Sequence, residues 1–131
     1  MEFSHVALNC KDLPATIEFY STHFGFKVSR RLPIGEGKEI IFLYNGSVYL
    51  ELFPTDDANY ASTTDGPNTT GIIRHFAFKV ENVDNFINTL ADKSIITLGP
   101  LDFDAFISGW RTVWLHDPNG HIVEVSQGYH D

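Results

Sequence analysis

Two stretches of the chain alternate between apolar and polar residues in the same way. In Phe3-Ser-His-Val-Ala-Leu-Asn9, Val6, Leu8 and the following Cys10 fall on one side, and Phe3, His5, Ala7 and Asn9 on the other. The segment Ile73-Arg-His-Phe-Ala-Phe-Lys79 repeats the order, with Phe76 and Phe78 opposite His75 and Ala77. A period of two is that of a strand whose faces meet different surroundings. After the first strand the period lengthens to that of a helix. Asp12 can accept from the first turn, Pro14 belongs where its missing N–H costs nothing, Ile17, Tyr20 and Phe24 lie at helical spacing, and Gly25 supplies a left-handed stop. Residues 26–32, 39–44 and 47–53 then read as strands, with Asn45-Gly46 as a tight hairpin between the last two.

From residue 58 to 71 the composition shifts to Ser, Thr, Asn, Gly and Pro, which connect rather than form a core. The first order then returns: a strand at 72–80, a helix capped by Asn82 with Val83, Phe86, Ile87 and Leu90 in one stripe, a short strand at 95–98, and strands at 111–116 and 121–127 around Asp117-Pro-Asn-Gly120. Residues 101–109 are the chief mismatch between the copies. The expectation is an α+β fold in one domain, residues 1–131. Two repeated β-α-β-β-β modules (1–57 and 72–131, with 58–71 as linker) form a curled, funnel-like mixed sheet with helices on the outside.

Each module carries a histidine on its first strand and a glutamate on its last, His5 with Glu51 and His75 with Glu124, 46 and 49 residues apart. Opposite Glu51 stand Leu50 and Leu52, and opposite Glu124 stand Val123 and Val125. These apolar rows must meet the helices, which leaves all four polar residues on the other face. A single strand histidine is ordinarily a hydrogen-bonded residue, and a single strand glutamate ordinarily faces solvent. Independent surface residues have no reason to repeat as His then Glu in both halves, so His5, Glu51, His75 and Glu124 are the candidate ligands of one metal ion. Two imidazoles and two carboxylates suit a borderline divalent ion such as nickel, cobalt, zinc, iron or manganese, and disfavour calcium. His23, His116, His121 and His130 read as ordinary residues. Phe103, Phe106, Trp110 and Trp114 are candidates for a pocket wall as much as for core, and Arg74 and Arg111 for a substrate carboxylate, against a default role in surface ion pairs.

Seventeen acidic against nine basic residues, a net charge of -8, argue against a nucleic-acid partner and against an anionic membrane. The expected partners are small molecules or further copies of the chain. With Cys10 as its one cysteine, the chain can form neither an intrachain disulfide nor a thiolate zinc cluster. Its start lacks a basic and then apolar leader, and no run of about 18 apolar residues occurs, so a cytoplasmic location is expected.

The doubled module, the strand-borne His5, Glu51, His75 and Glu124, and the Asp117-Pro-Asn-Gly120 turn leading into Glu124 together resemble the vicinal oxygen chelate superfamily of glyoxalases, bleomycin resistance proteins and dioxygenases. Over nearly the full length the chain is most similar to compact bacterial glyoxalase I, the lactoylglutathione lyases. That resemblance implies a six-coordinate ion, nickel or cobalt ahead of zinc, with two positions left for substrate oxygens. It also implies a homodimer with sites at the subunit interface, each able to draw one His-Glu pair from each chain. The implied reaction is a 1,2-proton transfer through a metal-bound enediolate, on a hemithioacetal of a 2-oxoaldehyde, with Glu124 as the base and Glu51 its partner. Glutathione-using members carry arginine and asparagine where this chain has Asn9 and Thr55, and a basic residue just after a Gly-Pro like Gly99-Pro100, so the thiol is left unassigned. The alternatives are a methylmalonyl-CoA epimerase-like enzyme, which often has glutamine at the first carboxylate position, and a non-catalytic small-molecule binding or resistance protein. An extradiol dioxygenase would need one carboxylate fewer.

Overall fold

The fold comes from a computed structural model that describes residues 1–56 and 73–128; the expected linker 58–71 and His130 lie outside the described residues. The chain divides into two compact units, Met1–Tyr60 and Ala61–Asp131. Among the described residues no helix is long and apolar enough to cross a membrane.

The first unit runs β1 (His5–Cys10), α1 (Leu13–Phe24), β2 (Lys27–Gly35), β3 (Lys38–Tyr44) and β4 (Tyr49–Pro54). Its sheet has the order β1-β4-β3-β2, in which β1 lies parallel to β4 and the other pairs are antiparallel. Helix α1 starts where Asp12 accepts from the Ala15 N–H at 2.9 Å and stops at Gly25, whose φ of 70° is left-handed. Thr16, Phe19 and Tyr20 are its buried residues, so the inward stripe is rotated from the expected Ile17, Tyr20 and Phe24. The Thr16 hydroxyl fits that interior because it donates to the Asp12 carbonyl at 2.7 Å. Leu8, Cys10, Phe26, Ile41, Leu43, Leu50 and Leu52 complete the core. Each fully buried aliphatic side chain stabilises the unit by about 1.5–3 kcal/mol relative to exposure.

The expected Asn45-Gly46 hairpin is replaced by a wider connection. A two-residue turn of that type needs positive φ at both residues, and only Gly46, at 97°, has it. Asn45 instead turns its side chain onto the backbone, accepting from the N–H groups of Ser47 and Val48 at 3.1 Å each, and β4 begins only at Tyr49.

The second unit repeats the plan as β5 (Phe76–Lys79), α2 (Val83–Thr89), a 3-10 turn at Lys93–Ile95, β6 (Ile96–Asp102), β7 (Arg111–His116) and β8 (Ile122–Gln127). Its sheet order is β5-β8-β7-β6, again with one parallel pair, β5 with β8. Asn82 caps α2 by accepting from the Asn85 N–H at 2.8 Å. The core contains Val83, Leu90, Val113, Leu115, Ile122, Val123 and Val125. The two units thus share the α+β plan of the expected modules, each a four-stranded mixed sheet with a helix. The mismatched segment 101–109 ends β6 and then loops back, held by the Phe103 N–H on the Trp110 carbonyl at 2.8 Å. Gly128 (φ 73°) lets that loop close, since a Cβ there would lie 2.2 Å from the Gly109 oxygen.

Candidate metal centre

In the first unit β1 and β4 run in parallel register with His5 beside Tyr49 and Ala7 beside Glu51. His5 and Glu51 therefore sit on one face, offset by two positions along neighbouring strands, while Leu50 and Leu52 point into the core. The offset brings His5 Nε2 to 3.1 Å from Glu51 Oε2. The second unit builds the same diagonal from β5 and β8, where Ala77 pairs with Glu124, and His75 Nε2 lies 2.6 Å from Glu124 Oε2. Neither histidine is mid-strand as the pattern implied: His5 is the first residue of β1, and His75 directly precedes β5.

The pairs differ in their surroundings. The His5 and Glu51 side chains keep 41% and 18% of their exposure, against 22% and 10% for His75 and Glu124. Ser4 Oγ lies 2.9 Å from His5 Nδ1, which leaves Nε2 to face the carboxylate. Glu124 is held from its other side, where the fully buried Thr112 hydroxyl donates to Oε1 at 2.6 Å. A charge-assisted bond of that length fixes the carboxylate and leaves Oε2 as its working oxygen. The loop after β7 aims the strand that carries Glu124. Asp117, buried in its Asp-Pro-Asn-Gly turn, accepts from the backbone N–H groups of Asn119 (2.8 Å) and His121 (2.9 Å), and its Oδ2 meets His121 Nδ1 at 2.7 Å. His121 is accordingly occupied in structure.

Trp114 pairs with Glu124 across β7 and β8, so it shares the carboxylate's face, and its ring centroid is 6.4 Å from that of His75. Phe103 packs on Trp110 and Trp114, at 4.9 and 6.4 Å, and Trp110 donates to Ser126 Oγ at 3.1 Å. Phe106 stays exposed. Among the described residues two buried polar atoms here have no hydrogen-bond partner, Trp114 Nε1 and His75 Nδ1. An unmade hydrogen bond of this kind costs about 1–3 kcal/mol. Of the two arginines singled out from the sequence, Arg111 forms a two-point pair with Asp84, both bonds at 3.0 Å, which raises its pKa and ties β7 to α2. Arg74 is exposed. His23 packs at 4.9 Å from the Phe19 ring and its pKa is lowered by burial, outside the candidate site.

The donor chemistry fits a divalent ion. Two ligands at adjacent corners of an ion, each about 2.0–2.2 Å from it, stand about 3 Å apart, close to the 3.1 Å between His5 Nε2 and Glu51 Oε2, while His75 and Glu124, at 2.6 Å, make a direct hydrogen bond. The outer contacts of Ser4 and Thr112 are those that commonly orient metal ligands. Within either unit, among the described residues, the donors stop at such pairs, and no group of three or more His, Cys, Asp or Glu side chains gathers.

Comparison with known proteins identifies the family. Residues 2–125 match the family model of the Glyoxalase/Bleomycin resistance protein/Dioxygenase superfamily, and the chain belongs to that superfamily. It is 33% identical over 124 residues to YwkD of Bacillus subtilis (strain 168), an uncharacterized protein, covering 92% of each chain. The crystal structure of a glyoxalase family protein from Enterococcus faecalis is similar at a TM-score of 0.68 and 32% identity, over 95% of this chain and 96% of that one. The genomically encoded fosfomycin resistance protein FosX from Listeria monocytogenes has a TM-score of 0.72 at 17% identity, covering 98% and 94%, a likeness of fold. The superfamily contains many enzymes and commonly uses a divalent metal on small-molecule substrates.

Proposed function

We propose that the protein is a divalent-metal-dependent lyase or isomerase of the glyoxalase I type, acting on a hemithioacetal of a 2-oxoaldehyde. The observation that carries this reading is the repeated His-Glu diagonal, His5 with Glu51 and His75 with Glu124, made twice by the same strand offset. The two histidines offer Nε2, and the two glutamates a carboxylate oxygen, to one nickel or cobalt ion. When bound, that ion supplies positive charge next to the adjacent oxygens of the substrate and so favours loss of a carbon-bound proton.

The chain's own groups then divide the work. Glu124 is the base: Thr112 pins its Oε1, and Oε2, which the substrate would displace from the ion, would take the proton from the carbon that bears sulfur. The proton is returned to the neighbouring carbon while the hydroxyl proton of the first carbon passes to the neighbouring oxygen, so one C–H and one O–H bond are broken, one of each is formed, and the hemithioacetal becomes a 2-hydroxy thioester without an oxidant. Glu51, the more exposed carboxylate, serves the opposite side of the substrate. Trp114, which shares the face of Glu124, walls the site beside that carboxylate. Two donors per unit do not fill a coordination shell, and the reading completes the site with the pair from a second copy in a homodimer.

Glu124→Gln tests the assignment. The amide keeps an oxygen donor but cannot accept the proton, so the nickel content of the purified variant should stay near that of wild type while isomerisation falls by at least about 100-fold. Near-normal turnover in this variant would show that Glu124 is not the base. Solvent deuterium incorporation at the product carbon, followed with hemithioacetals of several thiols, identifies the thiol.

A further inference from the structure

Strand β2 contains an irregularity that brings an unexpected charge onto the face of the candidate site. Val28 pairs with Leu43 and Arg30 with Phe42, so Ser29 is an extra residue between them. Regular alternation from Val28 would put Arg30 on the helix side of the sheet, beside buried Ile41. The bulge shifts the parity by one and moves Arg30 to the opposite side, and Arg31 takes the place beside Ile41. Arg30, Phe42, Glu51 and Ala7 then form one row across four strands.

That face carries a cleft of about 450 Å³ whose lining includes Ser4, His5, Ser29, Arg30, Phe42 and Tyr49. The volume is that of a small-ligand pocket. Its floor is aromatic: the Phe42 ring lies 6.3 Å from His5 and 6.5 Å from Tyr49, and Tyr49 stacks on Tyr44 at 4.4 Å. Arg31 pairs with Glu39 on the other side of the sheet, whereas Arg30 makes no ion pair among the described residues. A guanidinium beside an apolar floor and two hydroxyls is suited to an anion with a short carbon skeleton. Arg30 and Glu51 are two strands apart, about 10 Å between their backbones. An extended arginine side chain is long enough to cross much of that distance, so an anion held at Arg30 would lie a few bonds from the reacting carbon.

We infer that Arg30 is the anion-binding residue of this cleft, and that the substrate carries a carboxylate or phosphonate group a few bonds from the oxygens presented to His5 and Glu51. This identification of the substrate class rests on the function proposed above. The test uses the full chain after metal removal, titrated with propionate, propylphosphonate and neutral propionamide, and followed by NMR at the Arg30 Nε–H and the Phe42 and His5 amides. Both anions should give saturable shifts that weaken with salt, and propionamide should give none.

Arg30→Gln should lower anion affinity at least about tenfold. Arg30→Lys should retain phosphonate better than carboxylate, because it keeps a point charge and loses the two-point fork. Which anion binds more tightly distinguishes the two substrate sources. Unshifted Arg30 signals, wild-type affinity in Arg30→Gln, or an effect of the variant confined to the monomer-dimer equilibrium would each overturn the inference. A parallel nickel titration separates the two claims. Nickel bound without an anion response at Arg30 means that this inference fails and the metal reading stands; an anion response without nickel binding means that Arg30 binds anions while the metal reading, and the substrate class built on it, fail.

Discussion

Thr112 is buried as deeply as any core valine, yet its hydroxyl is in constant use, lying 2.6 Å from Glu124 Oε1 and 3.1 Å from the Val125 carbonyl. A hydroxyl has one proton, and the carboxylate is the stronger acceptor, so the bond to Glu124 is the one that matters for the site. Replacing Thr112 by valine keeps the volume and removes the donor. One Glu124 oxygen would then be buried without a partner, and the carboxylate would be able to turn away from His75 Nε2, 2.6 Å from its other oxygen. Thr112→Val should therefore weaken nickel binding about 10- to 100-fold, and Thr112→Ser should restore most of it. Isothermal titration with nickel checks both, and equal affinity in all three proteins would show that the hydroxyl only fills space.

Helix α1 sets two influences on His23 against each other. The ring sits in the last turn, where unpaired carbonyls favour a cation, but it is packed 4.9 Å from Phe19, and burial prevails, lowering its pKa from 6.5. The sign follows from proton binding. As pH falls below 6.5 the unfolded chain takes up a proton that the native helix resists, so stability is lost across the window down to the lower native pKa and is unchanged above it. Denaturant midpoints measured at several pH values should give a wild-type minus His23→Gln difference that slopes in that window and is flat above it; a flat difference throughout would refute the burial effect. The ends of this helix were legible in the sequence because Asp12 and Gly25 act through their own backbone neighbours. The His-Glu pairs were legible because they recur in the same order at nearly the same spacing, 46 and 49 residues. Arg30 was not, since one extra residue in β2 inverts the face of everything near it, and no local composition marks the bulge. The Asn45 turn was misread for a related reason: its side chain replaces the backbone bond that a tight hairpin would have made. Thr112 leaves no pattern at all, because its partner is twelve residues away on the next strand.

Each unit supplies an imidazole and a carboxylate in contact, and the proposed site needs two such pairs. In a homodimer whose sites each combine the His5-Glu51 pair of one chain with the His75-Glu124 pair of the other, the two pairs are separable by mixing. His5→Gln and His75→Gln homodimers would each lack one ligand in every site and should both be inactive. Unfolded together at equal amounts and refolded, they would form about half mixed dimers by random pairing. In a mixed dimer one site inherits both substitutions and the other none, so about a quarter of all sites are intact. Recovery of about a quarter of wild-type activity, with matching nickel content, is the expected result. Sites completed within a single chain would carry one substitution each in every possible dimer, and the mixture would stay inactive. The experiment therefore reads the assembly from activity and metal together, and an inactive mixture that still contains dimers by sedimentation would rule out the shared site.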